Sequence, residues 1–421
     1  MISFNNLIIY FKSKSLKSIL FLLILYITAI IGFGKFFLIA YFQLPESYGQ
    51  YALLYGVLIF IGCFISFGEI EQTIKQYPTY WIKKQYNFIN ESVTKLLLLM
   101  FFRASLVFLS YVLYNYLFGE EINLIVLISF FIIVFSHSVS PLFTSLFRSS
   151  SSLSFFAYSQ LIRAIVTLLF VTTAAYYYSW EGLIVAEAIS GIIIFPIYLF
   201  FINRQYAQEK TKFRIYFKVE RDLFISVFKV SNISGLFLFL SVMLISIPLY
   251  LDKLIIGQFK GLESVGLYSV CFLVVQIGTI INNVLSQKAG PDFIKDRIVN
   301  KYKNLNNQLF KWVSVGLILQ LMISIVCIIA LKFGLIQYYL PEYDINLEMF
   351  MLACLLSIFQ FNGLTEFALI SLEREKKIFF SNIFYCILFL ISFTVVGYLN
   401  LGLIYFFCAF IISKIGQLSI Q

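Results

Sequence analysis

Long apolar runs alternate with short polar segments along the whole chain. Barrel strands would alternate apolar and polar positions, whereas these runs are continuously apolar over about 20 residues, which predicts transmembrane helices. At about 1.5 Å per residue, such a helix crosses the roughly 30 Å of membrane hydrocarbon. We predict twelve spans, at residues 19–42, 51–68, 95–118, 122–145, 155–177, 182–202, 230–252, 265–287, 311–331, 346–370, 378–398 and 401–418.

Composition supports this all-α integral membrane class. Of the 421 residues, 61% are hydrophobic and only 12% are charged, whereas soluble domains hold about 25% charged residues. This balance excludes a soluble enzyme, a disordered chain and a secreted disulfide scaffold. All six cysteines fall inside predicted spans without metal-ligand spacing, so we expect neither a metal site nor a cofactor.

The distribution of basic residues predicts the orientation. Most of the 31 Lys and Arg residues lie in the N-terminal segment and in the gaps after spans 2, 6, 8 and 10, on what we call the basic face. Loops of the opposite face hold only Lys253, Lys260 and Lys332. The net charge of +10 therefore follows the positive-inside rule rather than indicating nucleic-acid binding, and predicts N-in and C-in. The gaps after spans 2, 6 and 8 are either amphipathic surface helices or plain solvated loops.

An internal repeat links the two halves of the chain. The pattern F-x-x-x-E-S-x-G-x-Y occurs at residues 42–51 and again 217 positions later, at 259–268, in two turns on what we call the turn face. Its key positions are Glu46, Gly49 and Tyr51, repeated as Glu263, Gly266 and Tyr268. Because six spans separate the copies, the pattern predicts two parallel six-helix repeats, residues 1–210 and 211–421.

Each repeated residue type suits a tight turn between two membrane helices. A glutamate near a helix N-terminus interacts favourably with the helix dipole. Glycine permits close approach of two helices. Tyrosine is typical of the membrane interface, so we expect both repeated tyrosines there as anchors.

Charged residues inside the spans are functional candidates, because an ion in hydrocarbon is costly. Lys35 and Glu187 lie at similar depths from the turn face, so we predict that they form an ion pair or share a polar cavity. Arg103 and Arg163 each lie eight residues into their spans from the basic face. Two guanidinium groups at one depth suit bidentate binding of a pyrophosphate. Snorkelling to water or structural pairing is the alternative for both arginines.

Two further residues are candidates for function. One indicates a difference in charge between the two halves, and the other is a titratable group. Asp252 aligns with Lys35 at the 217-residue offset, which indicates that the N-terminal half is cationic and binds an anionic ligand. His137, four residues before Pro141 in span 4, is a candidate for proton coupling. The alternative for His137 is a hydrogen bond to a neighbouring helix.

The twelve spans, the basic link between two six-span halves and the twin E-S-x-G-x-Y turns resemble the polysaccharide exporters of the MOP (MATE-like) superfamily. Length and composition are similar to those of the Wzx-type O-antigen flippases. The resemblance implies a two-lobed transporter of the bacterial cytoplasmic (inner) membrane. It would move undecaprenyl-pyrophosphate-linked oligosaccharide repeat units to the outer leaflet by alternating access. Its implied partners are this substrate, membrane lipids, a polysaccharide polymerase and a chain-length regulator.

Two other function classes remain open. One is a drug or metabolite antiporter with the same fold, and the other is a membrane polysaccharide polymerase or acyltransferase. The sequence has no phosphate-binding loop of the G-x-x-x-x-G-K-[ST] type and no catalytic carboxylate pair, which favours a transporter over an enzyme.

Overall fold

Helices make up nearly all of the structure, which is a computed structural model describing residues 4–66, 68–118, 123–149, 153–215, 233–298, 302–360, 362–372 and 374–420. Twelve spans among these residues are long and apolar enough to cross a membrane, as predicted. Spans 1 to 6 are α1 (Phe4–Phe42), α2 (Pro45–Ser66), α4 (Tyr86–Phe118), α5 (Leu124–Ser149), α6 (Leu153–Tyr177) and α7 (Trp180–Gln208), and α3 (Glu69–Ile82) follows span 2. Spans 7 to 12 are α8 (Ile233–Tyr250) with α9 (Asp252–Lys260), α10 (Leu262–Ile298), α11 (Tyr302–Lys332), α13 (Leu347–Ile358) with α14 (Asn362–Ser371), α15 (Glu375–Tyr398) and α16 (Leu403–Ile420), with α12 (Leu335–Tyr339) after span 9.

Span 7 corrects one predicted boundary. We expected Asp252 to close this span and Lys253 to lie in a loop, but the span runs to Lys260 and is interrupted at Leu251. Pro248, three residues before the interruption, has no N–H to donate to the carbonyl four residues before it, whereas the backbone N–H of Leu251 still donates to Ile247. The charged pair therefore begins the second helical segment and is buried inside the protein.

Span 10 is also discontinuous, which the sequence pattern did not predict. Helix α13 ends at Ile358 and α14 begins at Asn362. The backbone carbonyl of Gln360 at the break accepts a hydrogen bond of 2.7 Å from the side-chain amide of Asn282. A broken membrane helix is tolerated where neighbouring side chains satisfy the freed backbone groups in this way.

The polar gap after span 2 contains an amphipathic helix, one of the two alternatives open at the sequence level. Gly68 has a φ of 74°, in the left-handed region that glycine adopts without strain, and turns the chain into α3. After span 8, α10 simply continues to Ile298. Most of the gap after span 6, residues 216–232, lies outside the described residues.

The helices pack against one another within each half, and further helix contacts connect the two halves. In the first half, span 1 packs on span 5, and span 6 packs on spans 4 and 5; in the second, span 11 packs on spans 7 and 12. The principal contact between halves is span 2 against span 8. Both of these helices begin in the repeated turns.

The two repeated turns meet backbone to backbone, and we call this contact, residues 45–49 against 262–266, the turn seam. A Cβ atom at Gly49 would overlap the carbonyl oxygen of Leu262, and one at Gly266 would overlap that of Pro45. The close approach expected of these glycines is therefore between the two copies of the motif. Glu46 and Glu263 lie in the first turns of their helices and are exposed.

The repeated tyrosines are buried inside the protein, which does not agree with their predicted role as anchors exposed at a membrane interface. Tyr51 and Tyr268 are both fully buried, with 0% of their surface exposed. The hydroxyl of Tyr51 donates a hydrogen bond to Glu187 in span 6. The Tyr268 ring packs 4.8 Å from the ring of Phe407, between centroids. Each ring therefore belongs to the interior of its own half.

Replacing Gly49 or Gly266 by alanine is expected to lower the melting temperature of the purified protein in detergent. Each added methyl group would meet a backbone carbonyl of the opposite turn, which cannot rotate away as a side chain can. Overpacking of this kind costs about 1–3 kcal/mol. Differential scanning fluorimetry measures the loss.

Gly34→Ala in span 1 is the matched control, because a Cβ there has no neighbour within 4 Å. Alanine at a helical position without steric conflict is favourable by about 0.5–1 kcal/mol. Equal melting temperatures for all three variants would contradict the tight packing of the turn seam.

Candidate functional site

A cavity of about 450 Å³ lies among spans 1, 2, 4, 5 and 6, all in the first half of the chain. Its size falls in the range of small-molecule binding sites, about 300–1,000 Å³. The lining combines apolar and aromatic side chains with a few polar groups that point to specific chemistry. These polar and charged lining residues are Thr28, Lys35, Tyr55, Ser136, His137, Ser140, Gln160, Arg163, Thr167, Glu187, Ser190 and Tyr198.

Lys35 and Glu187 form the ion pair anticipated from their depths in spans 1 and 6. The Lys35 ammonium lies 2.7 Å from Oε1 of Glu187, and both residues are buried. The hydroxyl of Tyr51 donates a second hydrogen bond of 2.7 Å to the same oxygen. The ammonium also lies 4.2 Å from the ring centroid of Phe36 and 4.7 Å from that of Tyr55. Cation–π contacts of this kind stabilise the lysine charge away from water.

Arg163 lines the same cavity from span 5 without a carboxylate partner. Its Nη1 donates a hydrogen bond of 2.5 Å to the hydroxyl oxygen of Ser140. That hydroxyl lies 2.8 Å from the Tyr198 hydroxyl, which also accepts a hydrogen bond of 3.4 Å from Gln160. None of the ion pairs found among the described residues involves Arg163. Since a guanidinium has five N–H donors, hydroxyl partners leave several of them for a ligand.

The charges of the cavity lining do not balance. Lys35 and Arg163 are cations, and Glu187 is the one carboxylate among the lining residues. The Glu187 carboxylate is engaged by Lys35, so an excess positive charge is located at Arg163. A water-poor site with excess positive charge favours an anion, and a guanidinium suits the paired oxygens of a phosphate.

His137 also lines this cavity, from span 4. Its Nε2 lies 3.3 Å from the hydroxyl of Tyr55 in span 2. This is the hydrogen bond to a neighbouring helix that was the alternative to proton coupling. The contact leaves the coupling role of His137 a prediction.

Arg103 does not line the cavity with Arg163, so the predicted pyrophosphate clamp of two arginines is not formed in this cavity. Its guanidinium makes hydrogen bonds of 2.8 and 3.1 Å to the two carboxylate oxygens of Glu69. It also donates a hydrogen bond of 2.9 Å to the carbonyl oxygen of Ile65, near the end of span 2. Arg103 is absent from the cavity lining. This geometry matches structural pairing, which the sequence left open, and it holds the bend between span 2 and α3.

Burial raises the pKa of Glu69, while the hydrogen bonds and positive charge of Arg103 oppose that rise. Arg103 thus favours the ionised form of this carboxylate, which burial disfavours. The two charges depend on each other, as expected of a buried pair outside a ligand site.

Asp252 does not line the cavity either. Its carboxylate lies 3.1 Å from the ammonium of the adjacent Lys253, and it accepts a hydrogen bond of 2.8 Å from the Lys253 backbone N–H. Neither residue lines the cavity. Although Asp252 and Lys35 are equivalent by the repeat, only Lys35 faces the cavity.

Several cavity residues were missed at the sequence level because they are uncharged: Tyr55, Ser140, Gln160 and Tyr198. One signal for them was present. Gln160, Arg163 and Thr167 recur at helical spacing within the apolar span 5, which places three polar side chains on one helix face. The hydroxyls of spans 4 and 6 carry no comparable pattern.

Solved structures with this fold are MATE transporters and their relatives. An inward-facing multidrug resistance MATE family transporter of the MOP superfamily aligns with a TM-score of 0.67 at 13% identity, over 93% of this chain and 92% of that one. An outward-facing structure with the same description gives 0.58 at 15% identity, over 95% and 93%. A MOP superfamily transporter from Pyrococcus furiosus, whose description notes reverse polarity of its binding pocket, gives 0.60 at 14% identity, over 95% and 93%. No curated protein sequence is significantly similar to the chain.

These likenesses define the class: the chain is a multi-pass membrane protein with the MATE-type fold of the MOP superfamily, which confirms the resemblance noted in its sequence. Residues 15–290 match the model of the family described as polysaccharide biosynthesis protein. Since this match covers more than half of the 421 residues, the chain belongs to that family.

Arg103→Met is expected to lower both the melting temperature and the amount of protein in the membrane. The substitution leaves the Glu69 carboxylate buried without its cation, and breaking a buried pair in this way costs about 3–5 kcal/mol. The double variant Arg103→Met with Glu69→Leu is expected to recover most of the loss, because neither charge remains. Fluorimetry of purified protein and immunoblotting of membranes measure both effects.

Arg163→Met provides the comparison within the same half of the chain. Removing Arg163 leaves no carboxylate stranded, so its effect on melting temperature is expected to be smaller. If Arg103→Met melted like the unsubstituted protein while Arg163→Met did not, the structural role given to Arg103 would be refuted.

Proposed function

We propose that this protein is a flippase for undecaprenyl-pyrophosphate-linked oligosaccharide repeat units of a bacterial surface polysaccharide, such as O-antigen. It would carry them from the cytoplasmic to the outer leaflet of the inner membrane. Membership of the polysaccharide biosynthesis family supports the substrate class. The MATE-type fold supports transport by alternating access.

The observation that carries the proposal is the unbalanced positive charge at Arg163 inside the cavity. A pyrophosphate linker is the part of this substrate that needs such a charge, because its sugars and prenyl chain are not anionic by necessity. Bidentate contact with the guanidinium fixes the phosphate in orientation as well as in position. Nearby hydroxyls at Ser140 and Tyr198 add acceptors and donors for the first sugar.

In this mechanism the head of the substrate enters the cavity while the prenyl tail stays in lipid. The basic face is cytoplasmic, as the positive-inside rule predicts. Residues 1–210 and 211–421 act as two lobes that rock against each other, with the cavity in the first lobe, and the turn seam separates to release the head on the outer side. A polysaccharide polymerase and a chain-length regulator would then act on the delivered unit.

The charges of the cavity lining favour the antiporter alternative less than the flippase. A cationic drug would meet two cations in the cavity, and the Glu187 carboxylate that it needs is held by Lys35 and Tyr51. The charge balance therefore favours an anionic substrate.

A strain lacking the gene tests the function directly. We expect complete lipid-linked repeat units to accumulate on the cytoplasmic side and surface polysaccharide to disappear, with both restored by the plasmid-borne gene. Extraction of lipid-linked oligosaccharides and staining of surface glycan measure the two quantities. Normal surface glycan without accumulated precursor would argue for an antiporter, and flipped but unpolymerised units would identify an enzyme.

Arg163→Ala is expected to reduce this rescue at least about tenfold, the order of effect for losing one charge-assisted contact. Arg163→Lys should rescue partially, because an ammonium keeps the charge but not the bidentate geometry. Arg204→Ala removes an exposed arginine from the end of span 6 and should rescue fully. Full rescue by Arg163→Ala, at normal membrane levels, would exclude Arg163 from substrate binding.

A further inference from the structure

One oxygen atom of Glu187 joins three spans of the first half. Oε1 accepts hydrogen bonds of 2.7 Å both from the Lys35 ammonium in span 1 and from the Tyr51 hydroxyl in span 2. All three side chains are buried, with at most 6% of each residue exposed. The carboxylate is therefore the acceptor about which the two donors are arranged.

Lys35 is also the second cation of the cavity. A pyrophosphate group has two phosphates, and Arg163 can serve one of them. The only other cation among the lining residues is Lys35, on the neighbouring span 1. For an ammonium ion, a phosphate oxygen is the same kind of acceptor as a carboxylate oxygen. Glu187 and a second phosphate therefore require the same donor.

We infer that Glu187 is a built-in competitor of the anionic ligand for Lys35, and that Tyr51 is the positioning residue that makes the exchange possible. This inference rests on the proposed function. A ligand phosphate takes the ammonium, and the displaced carboxylate keeps the Tyr51 hydroxyl. No covalent bond changes, and no proton transfer is required.

Tyr51 suits this task because its ring is held by a contact other than the hydrogen bond to Glu187. Its ring stacks on that of Tyr55, with centroids 5.4 Å apart and planes 19° apart. A buried carboxylate without any donor is strongly unfavourable, so a retained hydroxyl lowers the penalty of releasing Lys35. When phosphate binds Lys35, the Glu187 carboxylate therefore keeps its hydrogen bond from the Tyr51 hydroxyl. Tyr51 lies two residues beyond Gly49 of the turn seam.

Calorimetric titration of the purified protein in detergent with inorganic pyrophosphate tests the competition. We expect Glu187→Gln to bind pyrophosphate about tenfold more tightly than the unsubstituted protein, because the competitor has lost its charge. Tyr51→Phe should bind several-fold more weakly, since its carboxylate then depends on Lys35 alone. A merely structural role for these residues would weaken binding in both variants. Glu181→Gln, the same change six residues earlier in span 6, is the matched control and should leave affinity unchanged.

A second pair of variants separates competition from simple loss of negative charge. In a Lys35→Gln background, Glu187→Gln should give no gain, because there is no ammonium left to release. A general Coulomb effect would tighten binding equally with or without Lys35, and that result would overturn the inference. If Glu187→Gln does not fold, Tyr51→Phe is compared with and without Lys35. Weaker binding that disappears in the Lys35→Gln background supports the competition, and unchanged binding, or the same weakening without Lys35, refutes it.

Failure of the proposed function gives a different result. In that case the unsubstituted protein would bind no pyrophosphate, and Arg163→Gln would change nothing. Binding that requires Arg163 but becomes weaker in Glu187→Gln would leave the proposed function intact and contradict the competition alone.

Discussion

The penalty for burying a charge in hydrocarbon is the constraint on which this structure depends. An isolated ion within a span is unfavourable, and a paired one ties together the helices that supply it. Lys35 with Glu187 joins span 1 to span 6, and Arg103 with Glu69 joins span 3 to the start of α3. The guanidinium of Arg163 is bound instead to a hydroxyl. Charges that hold helices together and a charge that remains for a ligand are thus distinguished by their partners rather than by their depth.

Much of the architecture followed from the sequence because it depends on local properties. Continuous apolar runs define membrane spans without reference to neighbours, and the repeated turns revealed the two halves. The pairing of Lys35 with Glu187 was also within reach, since each lies a short distance from the same face of the membrane. Arg103 was different. Its partner Glu69 reaches it only because the chain bends at Gly68, and an apolar pattern does not show such a bend.

The breaks in spans 7 and 10 and the burial of the repeated tyrosines were not predictable for a related reason. The gap in span 10 is stabilised by another helix, where the Asn282 side chain donates to the carbonyl of Gln360. The motif tyrosine of the first half donates to Glu187 in span 6, whereas that of the second half lies beside Asp252 in span 7 and packs on the Phe407 ring. A repeat in sequence therefore specified the path of the backbone but not the chemistry of each half, because that chemistry is supplied by spans that the motif does not include.

The turn seam has a consequence for the rate at which the two halves would separate in the proposed transport cycle. A contact between glycine and backbone carbonyls immobilises no rotatable side chain, so closing it costs almost no side-chain entropy and opening it recovers almost none. The halves can meet and part there without any rotamer having to be found again. A seam of interdigitated leucines would be more adhesive but would need reordering at each closure. The glycines of the two turns thus favour a contact that forms again quickly after opening over a contact that binds strongly.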